Sequence, residues 1–439
     1  MSQVIIIGGG LAGLASAVAL SDAGLQVDLY ERRPILGGRA SSFIHPSSGE
    51  QVDNCQHVLL GCCVNLVDFY TRLGVANHIA FQKTIPFIDE SNTVSIIGSS
   101  FLPPPLHLFP SFLRLRSIGF ADKLSIIRTV YSMVRYILRK RAADPEKLLF
   151  LGSMETWLKS HGASSRAIEA FWKPFLISAL NDELDDIDAD YGITTSVRTF
   201  LINRRSYEVG LPAVPLSDLY KPSIDYIEQR GGRVLLNQGV SAISCNGENV
   251  TSITLQDGSS VEAETYLSAL PSDILCRLLP ENHVSNSYFS MLKGLSVSPI
   301  TAVHLWFDRT VTTLDYAAVI GRRIQWIFNQ SIRDPGTFTS ETSGTYLGLV
   351  VSASDDWMKL PRQQIINQVM EDLRSLLPTV CKAKLIKAIV IKEGRATFAP
   401  KPGADSLRPT PSCPLSNLFI AGDWVQTGWP ATMESAVRS

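Results

Sequence analysis

The start of the chain constrains the fold most. Val4–Ile7 is a short β-branched run, Gly8-Gly9-Gly10 follows, and Leu11–Ala23 carries a periodic apolar pattern. Gly24 stops that pattern, and Gln26–Tyr30 reads as a second strand. The opening is therefore a strand–helix–strand unit with Gly8-x-Gly10-x-x-Gly13 at its first turn. Gly8 permits the tight turn, Gly10 lets backbone approach a pyrophosphate, and Gly13 lets helix and strand pack closely. Leu11 and Ala12 join them, because first-turn N–H groups and the positive end of the helix dipole face an anion there. Glu31, with Arg32 beside it, closes the second strand. An acid at that place accepts ribose hydroxyls and disfavours a 2′-phosphate. A bound dinucleotide follows, with FAD and NAD both open at this point.

Composition removes other classes. Of 439 residues, 45% are hydrophobic and 18% charged, which is too apolar for a disordered chain. Net charge is −1, so no global positive field exists for a nucleic acid. Seven cysteines in so long a chain do not form a disulfide framework, and a reducing cytoplasm is expected. Ser2–Ser21 is uncharged but broken by four glycines, and Ser91–Leu113 is uncharged but carries four prolines. Neither reads as a membrane span. Phe112–Arg141 holds eight basic residues and one acid among Leu, Ile, Phe and Tyr, just after the apolar Phe101–Phe112. That pattern suits a membrane-surface segment over 101–141, against the plainer reading of solvated surface helices.

Further on, Ala142–Asp190 reads mostly helical, and Ser217–Arg230 reads as one helix. Strands are expected at Val234–Leu236, Val240–Ser244, Val250–Leu255, Thr265–Ala269, Thr301–Phe307, Thr345–Ser352 and Ile386–Ile391, and a helix at Gln363–Leu377. Asp182–Asp190 holds six acids in a spacing that matches no calcium loop, and is expected to be a solvated loop. Cys55, Cys62 and Cys63 form no CxxC pair, so buried thiols rather than a metal site are expected. His304 alternates with Val303 and Leu305 on a strand and reads as structural.

Two more stretches decide the cofactor. Gly37-Gly38-Arg39 follows the second strand, and Arg39 suits a phosphate. Near the end, Asn417–Ile420 leads through Ala421 into Gly422-Asp423, followed by Gly428-Trp429-Pro430-Ala431-Thr432-Met433-Glu434. The combination resembles the FAD-binding amine oxidase and phytoene desaturase superfamily along the whole chain. The resemblance implies FAD, with Asp423 at the ribityl or diphosphate and Val240 at the adenine. It also implies a helix starting at Thr432-Met433 whose positive end faces the flavin pyrimidine, with Pro430 and Ala431 leading into it. FAD is expected to be non-covalent. No second GxGxxG is present, so NAD(P)H would serve only as a transient electron donor.

A sharper resemblance lies in Asp53–Cys62, Leu106–Pro110, Phe171-Trp172-Lys173-Pro174 with Ser178–Asn181, and Arg395–Pro400. With the Gly422 and Gly428 segments, these look like the hydroxysqualene dehydroxylase family of bacterial hopanoid synthesis. That family makes squalene by reductive loss of an allylic hydroxyl. The chain departs from the pattern at Cys55, where Gly is expected, and at Trp429, where Leu is expected. It stops at Ser439, early in the last expected helix, which suggests a shortened end. The chemistry needs an acid, a flavin hydride and a dry apolar tunnel for a C30 isoprenoid. His57 is the acid candidate, with an ordinary pKa near ~6.5, and Gln56 its positioning group. Asn181, Trp172 and Trp429 are expected at the substrate.

The resemblance also implies an α/β architecture: a Rossmann-like FAD-binding domain from 1–80, 205–290 and 395–439, with an inserted α+β substrate domain from 81–204 and 291–394. The expected setting is cytoplasmic, peripheral on the inner face of the membrane, beside other squalene or hopanoid enzymes. Three alternatives compete. A carotenoid-type desaturase or isomerase shares every cofactor residue. An amine oxidase needs an aromatic cage and a lysine-held water that find no place here. A prenyl-chain carrier would not need the intact set Glu31, Arg39 and Asp423.

Overall fold

The computed structural model describes residues 3–46, 49, 51–142, 151–333 and 344–439. The opening unit forms as its pattern predicts: β1 (Gln3–Ile7), α1 (Leu11–Asp22) and β2 (Gln26–Glu31). The chain then leaves through β3 (Thr84–Ile88), β4 (Val94–Gly98), α2 (Phe120–Ala142), α3 (Lys173–Leu180) and α4 (Ala189–Phe200). It returns for β5 (Arg233–Leu236) and β6 (Thr265–Ser268). A second excursion holds β7 (Val297–Phe307), β8 (Tyr316–Val319), β9 (Trp326–Asn329), β10 (Thr345–Ser352), α5 (Arg362–Leu376) and β11 (Leu385–Phe398). The last return is β12 (Leu418–Ile420) with α6 (Met433–Arg438).

The returns build one sheet in the order β5-β2-β1-β6-β12, parallel throughout. Its central β1 is nearly all Ile and Val and lies buried, as a parallel strand covered on both faces must be. The excursions build a seven-stranded sheet in the order β11-β7-β10-β9-β8-β3-β4. Its pairs are antiparallel except β8 with β3. Period-two alternation splits β7 between two cores. Val303, Leu305 and Phe307 pack with Ile365, Val369 and Leu373 of α5. Ala302 and Trp306 join cores on the opposite face. Strand β11 runs across the expected boundary at 394.

Several local expectations change. The helix expected over 217–230 is two, Leu216–Tyr220 and Pro222–Glu228, because Pro222 has no N–H to continue the first. The stretch 143–150, expected to be helical, lies outside the described residues. The uncharged run 91–113 contains strand β4 and a short helix, Phe109–Leu113. The acidic run is not simply solvated. Asp182 is buried, Asp188 caps α4 by accepting from the Asp190 N–H at 2.8 Å, and Asp190 pairs with Lys140 at 2.6 Å. No metal-holding cluster of His, Cys, Asp and Glu occurs among the described residues. Nor is any described helix long and apolar enough to cross a membrane.

Candidate active site

The glycine turn between β1 and α1 is built as the spacing demands. Gly8 adopts φ +109°, open to glycine and strained for other residues. A Cβ on Gly13 would stand 1.9 Å from the Gly8 carbonyl oxygen. A Cβ on Gly10 would meet only Gly38 Cα, at 3.7 Å. Gly13 is thus required by packing, whereas Gly10 borders a cradle that a side chain would fill. Helix α1 starts at this cradle with no side-chain cap and no acid in its first turn. Its free N–H groups and dipole suit a diphosphate, and the fit to a dinucleotide is good.

The rim of the cradle differs in detail from expectation. Glu31 is buried, and its carboxylate accepts from the Gly9 N–H at 2.7 Å and the Arg33 N–H at 2.9 Å. Arg32 is exposed. It is Arg33 whose guanidinium turns inward and donates to the Gly38 carbonyl. The two arginines lie in the bend just past β2 and diverge, Arg32 into solvent and Arg33 onto the Gly38 carbonyl. Val240 begins its strand beside this rim, since the Gln238 N–H donates to the Glu31 carbonyl at 2.9 Å.

Arg39 and Asp423 meet each other. The Arg39 guanidinium donates to the Asp423 carboxylate at 2.5 Å and to the Ala396 carbonyl at 2.8 Å. Charge that the resemblance assigns separately to phosphate and ribityl contacts is thus shared within the protein. Asp423 sits after Gly422, which adopts φ +153°. The 423–425 loop hangs on Arg408, a fully buried residue that sequence reasoning missed. Its guanidinium donates to the carbonyls of Asp423, Trp424 and Val425, and to the Tyr191 hydroxyl. Helix α6 starts at Met433, within the expected Thr432-Met433 start. Thr432 is its cap and accepts from the Ser435 N–H at 3.1 Å. Pro430 and Ala431 are buried just before it. Glu434, also missed, is buried and accepts from the Asn65 and Leu66 N–H groups, which start the helix Val64–Arg72.

The loop after Asp53 carries the expected catalytic pair. Asn54 fastens it to the Arg39 segment, donating to the Arg39 carbonyl at 3.1 Å. His57 Nδ1 donates to the Cys55 carbonyl at 2.8 Å, so Nε2 is the ring's free acceptor when neutral. Burial, and then the charge of Arg39, hold the imidazole below its ordinary pKa. Those two effects favour the neutral ring at that position over the imidazolium. The Gln56 side-chain oxygen accepts from the Gln330 side-chain amide. Gln330 was not anticipated. It lies over Gly348 of β10, where a Cβ would come 3.2 Å from its nitrogen. Gly348 pairs with His304 on the same face of the sheet.

That face is apolar and aromatic beyond the amide pair. Tyr316, Trp326 and Phe328 stack across β8 and β9 with ring centroids 5.9–6.3 Å apart. The indole of Trp326 donates to the Ser178 hydroxyl of α3 at 2.8 Å. His304 is structural, as expected: buried, with Nδ1 2.7 Å from the Tyr346 hydroxyl. Two of the residues expected at the substrate belong to the scaffold. Asn181 ends α3 in a left-handed conformation. Its amide donates to Ser298 and Thr397, and its carbonyl accepts from the Ala353 N–H, so it joins α3 to three strand ends. Trp172 is buried in the core, edge-on to Phe171. Trp429 is half-buried beneath the Arg198 guanidinium, 4.6 Å from the ring, while Arg198 donates to the Gly428 carbonyl. Cys55 and Cys63 are buried free thiols, and burial pushes the Cys55 thiol up to about 12.

Fold and site together define a flavin-dependent oxidoreductase: a parallel dinucleotide-binding sheet, a glycine cradle, and a second sheet set against it. Over residues 11–439 the sequence matches flavin containing amine oxidoreductase, and the chain belongs to that family, whose cofactor is FAD. It is similar to zeta-carotene desaturase of Synechocystis sp., at 26% identity over the whole chain and 95% of the relative. It is also similar to 15-cis-phytoene desaturase of Synechococcus elongatus, at 25% identity over the whole chain and 94% of the relative. Among solved structures, an oxidoreductase from Methanosarcina mazei superposes with a TM-score of 0.75, at 19% identity, covering 99% of this chain and 98% of that one. Putrescine oxidase bound to putrescine superposes at 0.72 with 15% identity, covering 100% and 96%. At these identities the structures speak for the fold alone.

Proposed function

We propose that this chain reductively removes the hydroxyl of an allylic polyisoprenoid alcohol, with hydroxysqualene as substrate and squalene as product. The observation that carries the proposal is the inward face of the seven-stranded sheet. Its half-buried Trp326, packed on the core residues Tyr316 and Phe328, suits a long hydrocarbon, and the face ends, next to the loop tied to Arg39, on one polar couple, Gln56 with Gln330. A hydrocarbon bearing a single hydroxyl needs that combination.

FAD, when bound, supplies two-electron hydride chemistry, with NAD(P)H the donor class expected to refill it. The Gly8–Gly13 turn, the α1 N-terminus, Glu31, Arg33 and Asp423 would hold it. The C–O bond breaks as its oxygen takes a proton and leaves as water, while the carbon gains hydrogen. His57 orients the hydroxyl as an acceptor through Nε2, and the proton comes from solvent. The two glutamines position the oxygen, and the aromatic wall keeps the remaining chain dry.

A second reading is supported by the 25–27% identity to zeta-carotene and phytoene desaturases: dehydrogenation of a carotenoid precursor, which needs no polar couple. Anaerobic turnover separates the two. Reduced, FAD-loaded protein with hydroxysqualene is expected to yield squalene as the flavin reoxidises, read by gas chromatography–mass spectrometry. No squalene from a reducible yellow protein, with product from oxidised protein and phytoene, would move the assignment to the desaturase.

A further inference from the structure

Helix α2 is inverted relative to an ordinary surface helix. Ile126, Thr129 and Met133 face inward. The outward side carries Phe120, Leu124, Ile127, Tyr131 and Leu138, with Phe120 74% and Tyr131 62% exposed. At about 100° per residue these five fall within an arc of about 60°. With 23 residues the helix is about 34 Å long. Arg128, Arg135 and Arg139 follow one flank of the stripe, and none forms an ion pair among the described residues. Half of the large apolar side chains that the described residues leave exposed lie between 101 and 138. So large an apolar patch rimmed by charge marks a contact surface.

A basic cleft of about 420 Å³ opens at one end of this region. Lys83, Arg204 and Arg205 line it, and Phe101, 86% exposed, stands at its rim. Its acid, Glu208, is already paired with Arg205 at 3.0 Å. Arg204 donates to the Ser99 hydroxyl and the Ser100 carbonyl, which fixes the guanidinium beneath the Phe101 loop. A cationic cleft beside a protruding phenyl ring has the order of a lipid: phosphate, then acyl chain.

We propose that this face lies on an anionic bilayer. Helix α2 rests in the interface with its outward stripe in the acyl boundary, and the Lys83–Arg204–Arg205 cleft takes a phospholipid phosphate. Net charge is −1 overall, yet cations gather on this face, so charge complementarity selects an anionic membrane over a protein of mixed surface. The purpose of this docking, extraction of a bilayer-dissolved substrate, rests on the polyisoprenoid reading above. The docking itself is testable without any substrate.

The test is flotation of the full FAD-loaded chain with phosphatidylcholine vesicles, with and without phosphatidylglycerol. Binding to the anionic vesicles is expected, at least about tenfold stronger than to neutral ones and weakened by salt. Phe120→Ser/Leu124→Ser/Tyr131→Ser and Arg204→Ser/Arg205→Ser should each lose about tenfold with flavin content and circular dichroism unchanged. Arg309→Ser, on an exposed residue of the other excursion, should float like the parent. Undiminished flotation of both multiple variants overturns the proposal. So does equal binding to neutral vesicles in high salt. If vesicles bind but hydroxysqualene is not turned over, the assigned reaction fails and the docking face stands.

Discussion

Arg39 and Asp423 stand 384 positions apart in sequence, and their side chains meet at 2.5 Å. The contact joins the segment after β2 to the loop after β12. Asp423 is 5% exposed, and the carboxylate next to it holds the Arg39 guanidinium above its ordinary pKa. Removing Arg39 leaves a buried carboxylate uncompensated, and removing Asp423 leaves the partly exposed guanidinium without its partner. Asp423→Ala is expected to lower unfolding free energy by about 2 kcal/mol and to cost flavin retention. Arg39→Met/Asp423→Leu should recover most of the stability but not the flavin. The check is a double-mutant cycle in denaturant alongside flavin absorbance. Additive losses would show that the pair is not coupled.

The two glycines of the cradle separate packing from binding. Gly13→Ala would force a Cβ to 1.9 Å from the Gly8 carbonyl, so strand and helix must part. We expect a loss of at least about 3 kcal/mol or an insoluble protein. Gly10 has φ −76°, an ordinary value for alanine, and its Cβ would find nothing nearer than 3.7 Å. Gly10→Ala should therefore fold normally and bind FAD at least about tenfold more weakly, because only the ligand meets the new methyl. Thermal melting of the flavin-free variants and flavin titration check this. A Gly10→Ala protein that keeps full flavin affinity would place the cofactor elsewhere.

The parts legible in sequence are those set by local pattern. The β1–α1–β2 unit, the glycine roles and His304 inside a strand follow from period and spacing, while the helix start at Thr432-Met433 comes from the family resemblance. What escaped depends on contacts that only the fold creates. Arg33 rather than Arg32 faces the cradle because the bend past β2 brings its guanidinium to the Gly38 carbonyl. Arg408, Glu434 and Gln330 act on partners at the far ends of other segments, and nothing beside them in sequence announces it. Asn181 and Trp172 sit in motifs that resemble a substrate site, yet their partners are backbone and core. A motif shows that a residue matters and leaves open whether it meets ligand or scaffold.

Buried His304 gives the stability curve a measurable proton linkage. Its pKa falls from 6.5 to about 4, chiefly through burial, so the folded state prefers the neutral ring. The stabilisation is complete above pH 6.5 and is lost as pH falls from 6.5 to about 4, totalling about 3 kcal/mol. Asp53 acts oppositely. Burial raises its carboxyl from 3.8 to about 6, so its contribution is lost as pH rises through that window. The whole-protein curve mixes both, and the difference between variant and parent is the proper readout. His304→Gln should be destabilised at pH 7, with the penalty shrinking steadily towards pH 4. A difference that stays constant from pH 7 to pH 4 would show that His304 does not titrate as described.

Gln330 tests the chemistry most directly, because it separates a hydroxyl from the hydrocarbon that carries it. The amide pair uses one Gln330 N–H and the Gln56 oxygen, and leaves the Gln56 amide nitrogen and the Gln330 carbonyl oxygen for a substrate hydroxyl. Gln330→Leu keeps the apolar bulk over Gly348 and removes the polar group. Losing one neutral hydrogen bond of about 1 kcal/mol should lower kcat/KM for hydroxysqualene about fivefold. Loss of the Gln56 partner as well should deepen this to about tenfold. Squalene, which lacks the hydroxyl, should bind the variant as well as the parent or better. His57→Gln keeps a neutral acceptor and should retain more activity than His57→Ala, with no imidazole limb in the pH profile of either. Measured kcat/KM and product affinity decide between the roles. Equal losses for hydroxysqualene and squalene would make Gln330 a packing residue and remove the polar couple as support for dehydroxylation.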